Sequence, residues 1–145
     1  MVQKWLVEIP PAECEELLAS SSLGRVGVVV QGRPEVFPVN HLYDPQTGSV
    51  TFSTMPGTKL HGALEWPWVA YEVDGVEADG AGGWSVMVVG RAEEITDPAE
   101  IGELAAERRV ALWATGEGAR WLRIVPTKVT GRRIRAVDRS RLTPS

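Results

Sequence analysis

The chain has one cysteine, two histidines and no surplus of basic charge across its 145 residues, and each scarcity removes a class of function. A lone Cys14 gives neither a disulfide framework nor a thiolate metal cluster, and its glutamate-rich helical setting marks it as a small packing residue rather than a nucleophile. His41 and His61 lack a serine or cysteine partner at a recognisable spacing, and no His-Glu-x-x-His pattern occurs, so both read as structural or surface residues. A net charge of -4 argues against nonspecific nucleic-acid binding, which needs a basic surface to neutralise phosphates. No apolar run approaches the roughly 18 residues of a membrane helix, and the first residues lack the basic and long apolar segments of an export signal. The chain therefore reads as cytoplasmic, with no membrane partner.

What is present suits one soluble domain over residues 1–145, with 139–145 as a loose tail; 43% of residues are hydrophobic and 23% charged. A short strand (Lys4 to Glu8) precedes a helix opened by Pro10-Pro11 and running to about Ser20. Alternating apolar residues then predict strands at Arg25–Val30, Glu35–Tyr43 and Ser49–Thr54, joined by a Gln31-Gly32 turn and a Pro/Gly turn. A helix from about Thr58 to Glu65 ends at Trp66-Pro67, and a period-two strand follows at Trp68–Asp74. Gly75 to Gly83 reads as a glycine-rich, acidic loop. Trp84–Ile95 reads as a long strand whose apolar middle, Val86–Val89, suggests burial on both faces. Asp97-Pro98-Ala99-Glu100 starts a helix reaching about Val110. Trp121–Val125 is a strand, and Val129–Val137 is either another or its continuation past Pro126. Hairpin connections between the early strands favour a small antiparallel barrel over a parallel βαβ sheet.

Two places could hold a ligand. In Ser53-Thr54-Met55-Pro56-Gly57-Thr58-Lys59, hydroxyls, a lysine and the free amides of a helix start converge, an arrangement suited to an anion. The same residues also describe an ordinary strand end, turn and cap. Pro38 removes a ladder donor from an alternating strand, which places that strand at a sheet edge. The edge is either plain or leaves the Val36–Asn40 backbone free for a flat polar ligand. Most of the six tryptophans should be core or subunit contacts; Trp84 is the one best placed to border a planar ring. Arg132, Arg133, Arg135, Arg139 and Arg141 suit a solvated strand edge or a dimer interface better than a nucleic-acid patch.

In joint order, several segments resemble the pyridoxamine 5'-phosphate oxidase-like flavoprotein superfamily, from about Cys14 to Ile134. They are Gly24-Arg25-Val26, Gly32-Arg33-Pro34 with Phe37-Pro38-Val39-Asn40, Phe52-Ser53-Thr54 with Gly57-Thr58-Lys59-Leu60, Val69 to Asp74, Trp84-Ser85-Val86 with Gly90-Arg91-Ala92-Glu93, and Val129-Thr130-Gly131-Arg132-Arg133. The resemblance implies a mainly β fold with short helices, a split antiparallel β-barrel of FMN-binding type, and a homodimer with flavin at the subunit interface. By position, Pro38, Val39 and Asn40 would contact the isoalloxazine ring, largely through backbone. Phe52, Ser53 and Thr54 would meet the ribityl chain and phosphate, and Thr58 and Lys59, followed by Leu60, would hold the phosphate. Ser85 would lie near the cofactor.

Two departures stand out, the first bearing on phosphate affinity at the cofactor site and the second on the substrate. Relatives frequently carry arginine where this chain has Ser53. Vitamin B6 oxidases carry an aromatic residue and an Arg-x-His element near the C-terminus, and no histidine follows His61 here. Pyridoxamine phosphate is therefore not the expected substrate. The implied function is an FMN-dependent oxidoreductase acting on another small molecule. The alternatives are a deazaflavin-dependent reductase using the same groove, and a non-enzymatic flavin- or haem-binding protein.

Overall fold

A computed structural model describes residues 2–57, 59–107 and 118–138, with backbone alone at 2–5, 59, 61, 63 and 136–138. The first half of the chain forms β1 (Val2–Glu8), α1 (Pro11–Ser20), β2 (Leu23–Val30), β3 (Arg33–Asn40), β4 (Leu42–Tyr43) and β5 (Val50–Thr54). The second half forms α2 (Lys59–Gly62) with a 3-10 turn at Ala63–Glu65, then β6 (Trp68–Val76), β7 (Gly82–Ile95), α3 (Pro98–Ala106) and β8 (Arg120–Asp138). All strand pairs are antiparallel, in the order β3-β2-β6-β7-β8-β5-β4, with β1 added on β8. The result is the expected mainly β architecture with short helices, curled into a half-barrel of split-barrel type.

The long β8 organises the sheet. One of its edges pairs with β7; the other is shared, with β5 on Arg120–Ile124 and β1 on Arg132–Asp138. The opening between β5 and β1 is filled from α1. The Ile9 N–H donates to the Gly131 carbonyl at 2.9 Å, and Cys14 and Leu18 are buried behind it. Cys14 is thus the packing residue its setting predicts. Of the two readings left open at Pro126, the strand continues. The register steps from Val89 opposite Lys128 to Gly90 opposite Pro126, leaving Thr127 as a bulge whose hydroxyl donates to the Val89 carbonyl at 2.9 Å. A proline without an N–H is tolerated where the ladder is already interrupted. The extra residue also exchanges the faces of the strand: Leu122 and Ile124 are buried before it, Gly131 after it.

Val26, Val28, Val73, Val86, Val88, Phe52, Leu122 and Ile124 fill the barrel, as the alternation of their strands requires. Burial on both faces of Val86–Val89 is not observed, since Met87 is 40% exposed. A half-buried strand with an apolar outer face has the same sequence pattern. The expected Gly75–Gly83 loop is trimmed at both ends, to 77–81, as β6 runs on through Val76 and β7 begins at Gly82; glycine permits the close packing this needs, since the Trp84 indole lies 2.7 Å from where a Gly75 Cβ would be. The Asp97 carboxylate caps α3 by accepting the Ala99 N–H at 3.2 Å, as its sequence predicts. That helix ends at Ala106 rather than near Val110, with Glu107 already extended.

The expected strand over Glu35–Tyr43 is broken at His41, whose ring is buried and turned inward. Nε2 lies 2.9 Å from the Leu18 carbonyl, which can only accept, so Nε2 carries the proton. Nδ1 then accepts from the Tyr71 hydroxyl, and the two rings meet edge to face. Gly24 makes room for this: a Cβ there would stand 2.2 Å from the Tyr71 hydroxyl oxygen. Burial holds the His41 pKa below its ordinary value, partly offset by the Leu18 bond. The unfolded chain therefore takes up this proton first as pH falls. The contribution of His41 to stability is complete above about pH 6.5 and is lost below it, by at most about 1.4 kcal/mol per pH unit. Urea unfolding of wild type and His41→Gln at pH 7.5 and 5.5 should show a smaller loss in the variant; equal losses would remove the assignment.

Candidate functional site

β3 ends the hydrogen-bonded path of the sheet, so Pro38 sits on an edge as its missing donor requires. Val39 points into the core, while Pro38 is exposed on the outer face. Asn40 donates from Nδ2 to the Ser22 carbonyl at 3.3 Å, but its Oδ1 is buried with no hydrogen-bond partner. A buried carbonyl oxygen without a donor costs on the order of 1–3 kcal/mol, which a ligand N–H or O–H would recover.

β5 lies beside this edge as the sheet curls round. β4 covers β5 only at Val50 and Thr51, and Phe52, Ser53 and Thr54 follow towards α2. Phe52 is a core residue, so its backbone rather than its ring is the part able to meet a ligand. Ser53 and Thr54 are buried hydroxyl residues, and Leu60 packs into the core, anchoring the start of α2. Thr58 and the side chains of Lys59 and His61 lie outside the described residues. The expected helix over Thr58–Glu65 is one α-helical turn followed by a 3-10 turn, and one turn carries little macrodipole. Anion affinity at this point would rest on the Lys59 charge and local amides.

Trp84 and Ser85 are placed elsewhere. Ser85 pairs with Arg132 near the end of β8, whereas Ser53 pairs with Trp121 near its start. One copy of the chain does not bring these two groups together. Ser85 does share the outer face with Pro38, through a row that runs Pro38, Arg25, Glu72, Met87 across four strands. The sequence reading assigned no role to the charges in that row. Arg25 Nη1 lies 2.9 Å from Asp74 Oδ2 and 3.5 Å from Glu72 Oε1. Burial first, then the neighbouring Asp74, pushes the Glu72 carboxyl up to about 7, with Arg25 acting in the opposite direction. A carboxyl able to hold or release a proton near neutrality thus stands two strands from Pro38. The signal available in the sequence was the spacing of two carboxylates on one strand face opposite an arginine.

The C-terminal arginines divide between faces, Arg132 on one and Arg133 with Arg135 on the other. Arg133 is half-buried and bridges Glu13 of α1 at 2.5 Å and Glu77 at 3.1 Å, while Arg132 and Arg135 are exposed. Of the tryptophans with described side chains, Trp121 is buried, Trp84 half-buried, and Trp66 and Trp68 exposed. No group of three or more metal-ligating side chains and no helix long and apolar enough to cross a membrane occurs among the described residues.

Comparison with known proteins adds to this geometry. The family model described as pyridoxamine 5'-phosphate oxidase matches residues 10–133. An uncharacterised protein of Mycobacterium tuberculosis, Rv0080, is 34% identical over 140 residues, covering 93% of this chain and 90% of its own length. The solved structure of a FAD-binding protein from Mycobacterium smegmatis is 32% identical, with a TM-score of 0.73 over 89% of this chain and 98% of its own. A FAD-binding protein from Mesorhizobium loti is 25% identical, with a TM-score of 0.70 over 88% of this chain and 97% of its own.

Proposed function

Because the chain belongs to the pyridoxamine 5'-phosphate oxidase family, we propose that it is an oxidoreductase that binds a flavin nucleotide against the β3 edge, in a site completed by a second copy of the chain. The observation that carries this reading is the buried, unpartnered Oδ1 of Asn40 on an edge strand beside β5. A flat ring bearing N–H and C=O groups suits such an edge. Pro38, Val39 and Asn40 would hold the ring, Ser53 and Thr54 the polyol chain, and Thr58 and Lys59 the phosphate. The flavin would supply hydride and electron transfer, and the protein binding, orientation and electrostatic tuning. Ser85 and Trp84 enter the site only if they come from the second copy. The outer face offers the apolar surface such pairing needs, with Val36, Met87, Val125 and Ile134 all exposed.

The test is the absorbance and sedimentation of the purified protein. The expected result is a flavin band near ~450 nm on a stable dimer at micromolar concentration, with an interface of about 2,000 Å² or more. A band near ~420 nm would indicate a deazaflavin coenzyme, and a Soret band haem. A colourless monomer that takes up no added flavin would overturn the proposal.

A further inference from the structure

A cavity of about 510 Å³ lies between the β2–β3 turn and the end of α2, walled by Val29, Val30, Gln31, Gly62, Glu65 and Trp66. Among the described residues, none of those assigned to the flavin lines it. The volume is that of a small-molecule site. Both walls are fixed before any ligand arrives. On one side Gln31 and Gly32 stand at φ 51° and 76°, the pair of positive angles that closes a tight two-residue hairpin. On the other, the Ala92 N–H donates to the Pro67 carbonyl at 2.7 Å, which ties the residue after Trp66 to β7. At Gly62 a Cβ would meet no atom within 4 Å, so the helix leaves the mouth open there.

The chemistry of the lining selects a charge sign. Val29 and Val30 supply an apolar wall, and Trp66 an indole that is 56% exposed. Glu65 is the one charged residue among the described lining, and it forms no ion pair. A carboxylate beside an uncovered indole attracts a cation twice over, by its charge and through the negative face of the ring. The neighbouring tryptophan shows the contact this chain makes where it has a cation to offer: the Arg91 guanidinium stands 5.8 Å from the centre of the Trp68 ring. Trp66 has no such cation among the described residues. Gln31 adds carbonyl oxygens able to accept from an ammonium N–H. An amine with an apolar body uses each of these groups, its ammonium at Glu65 and Trp66 and its body against Val29 and Val30.

We propose that this cavity is a second ligand site, separate from the flavin, and that it takes a small organic cation: a protonated amine carrying a compact apolar group. The inference goes beyond the flavin reading and does not depend on it. The carboxylate that recruits the amine also turns away phosphates and carboxylic acids.

The experiment titrates phenethylamine, 2-phenylethanol and 3-phenylpropionate by calorimetry at pH 7 into full-length wild type, Glu65→Gln and Trp66→Leu, with thermal melts to confirm folding. The probes share one ring and differ in charge, and both substituted side chains are exposed, so the core is left alone. Wild type should bind the amine about tenfold or more tightly than the alcohol, and the acid more weakly still. Each variant should weaken the amine by about fivefold or more and leave the alcohol unchanged. Leucine keeps apolar area at position 66, so its loss reads the attraction of the ring for charge. Saturating FMN should not alter amine binding. Equal affinity for amine and alcohol, no amine binding at about 10 mM, wild-type amine affinity in either variant, or competition by FMN would each overturn the cation site. A wild type that binds the amine but no FMN would support it while overturning the flavin reading.

Discussion

Gly90→Ala should destabilise the fold by roughly 3 kcal/mol, lowering the melting temperature by about 10 °C. A Cβ at this position would lie 2.1 Å from the Val125 carbonyl oxygen, 2.8 Å from its carbon and 3.0 Å from Pro126 Cα. All three atoms are backbone, so no rotamer change relieves the clash. They also belong to the bulge through which β8 passes Pro126, where the Thr127 hydroxyl is tied to Val89. Moving that backbone would shift the register on which the burial of both Ile124 and Gly131 depends. Gly102→Ala is the control. It sits inside α3 with nothing within 4 Å of its Cβ, so removing the flexibility of a helical glycine should gain about 0.5–1 kcal/mol. Chemical denaturation of the two variants checks both signs, and a neutral Gly90→Ala would mean that the bulge is far more compliant than its geometry indicates.

Lys59→Ala is expected to weaken FMN by about 10–150-fold and riboflavin hardly at all. On the proposed reading Lys59 provides the full positive charge at the phosphate, and a charge-assisted contact contributes roughly 1.5–3 kcal/mol. The shortness of α2 sharpens this expectation. A single helical turn supplies little dipole of its own, so the helix adds little to offset the lost charge. Riboflavin has the same ring and polyol without the phosphate, and its titration separates loss of the anion contact from collapse of the site. Equal losses for the two ligands would sink the phosphate assignment.

The sequence made local features legible and left out those set by distant neighbours. Pro38 announced an edge because a missing N–H can be tolerated in few other places, and Asp97-Pro98 announced a helix start for the same local reason. His41 gave no such sign. It continues the alternation of Glu35–Tyr43, and only the Leu18 carbonyl and the Tyr71 hydroxyl, far along the chain, explain why the strand stops there. Pro126 left open a new strand or a continuation of the old one, since the choice depends on Gly90 across the ladder. Met87 looked buried because an apolar outer face and an apolar core have one composition. At the candidate site, residue types pointed to an edge and an anion-binding turn. The unpartnered Asn40 oxygen and the cavity beside Trp66 arise from packing between separate segments, and no spacing rule encodes either.

The shared edge of β8 has a consequence for how the molecule reaches its folded state. β1 is made first during synthesis, yet its ladder partners are Arg132–Asp138, and β5 likewise waits for Arg120–Ile124. α1 docks over Gly131, which also comes late. An emerging chain can form the β2–β3 hairpin and extend it to β6 and β7, but the barrel has no second wall until β8 arrives. Loop-closure entropy is thus met before most long-range contacts repay it, which places the chain among the slower-folding topologies. Until then the open edge of β7 and the valines meant for the barrel are exposed together, the combination that makes nascent β proteins depend on chaperones or on the prompt arrival of the closing strand.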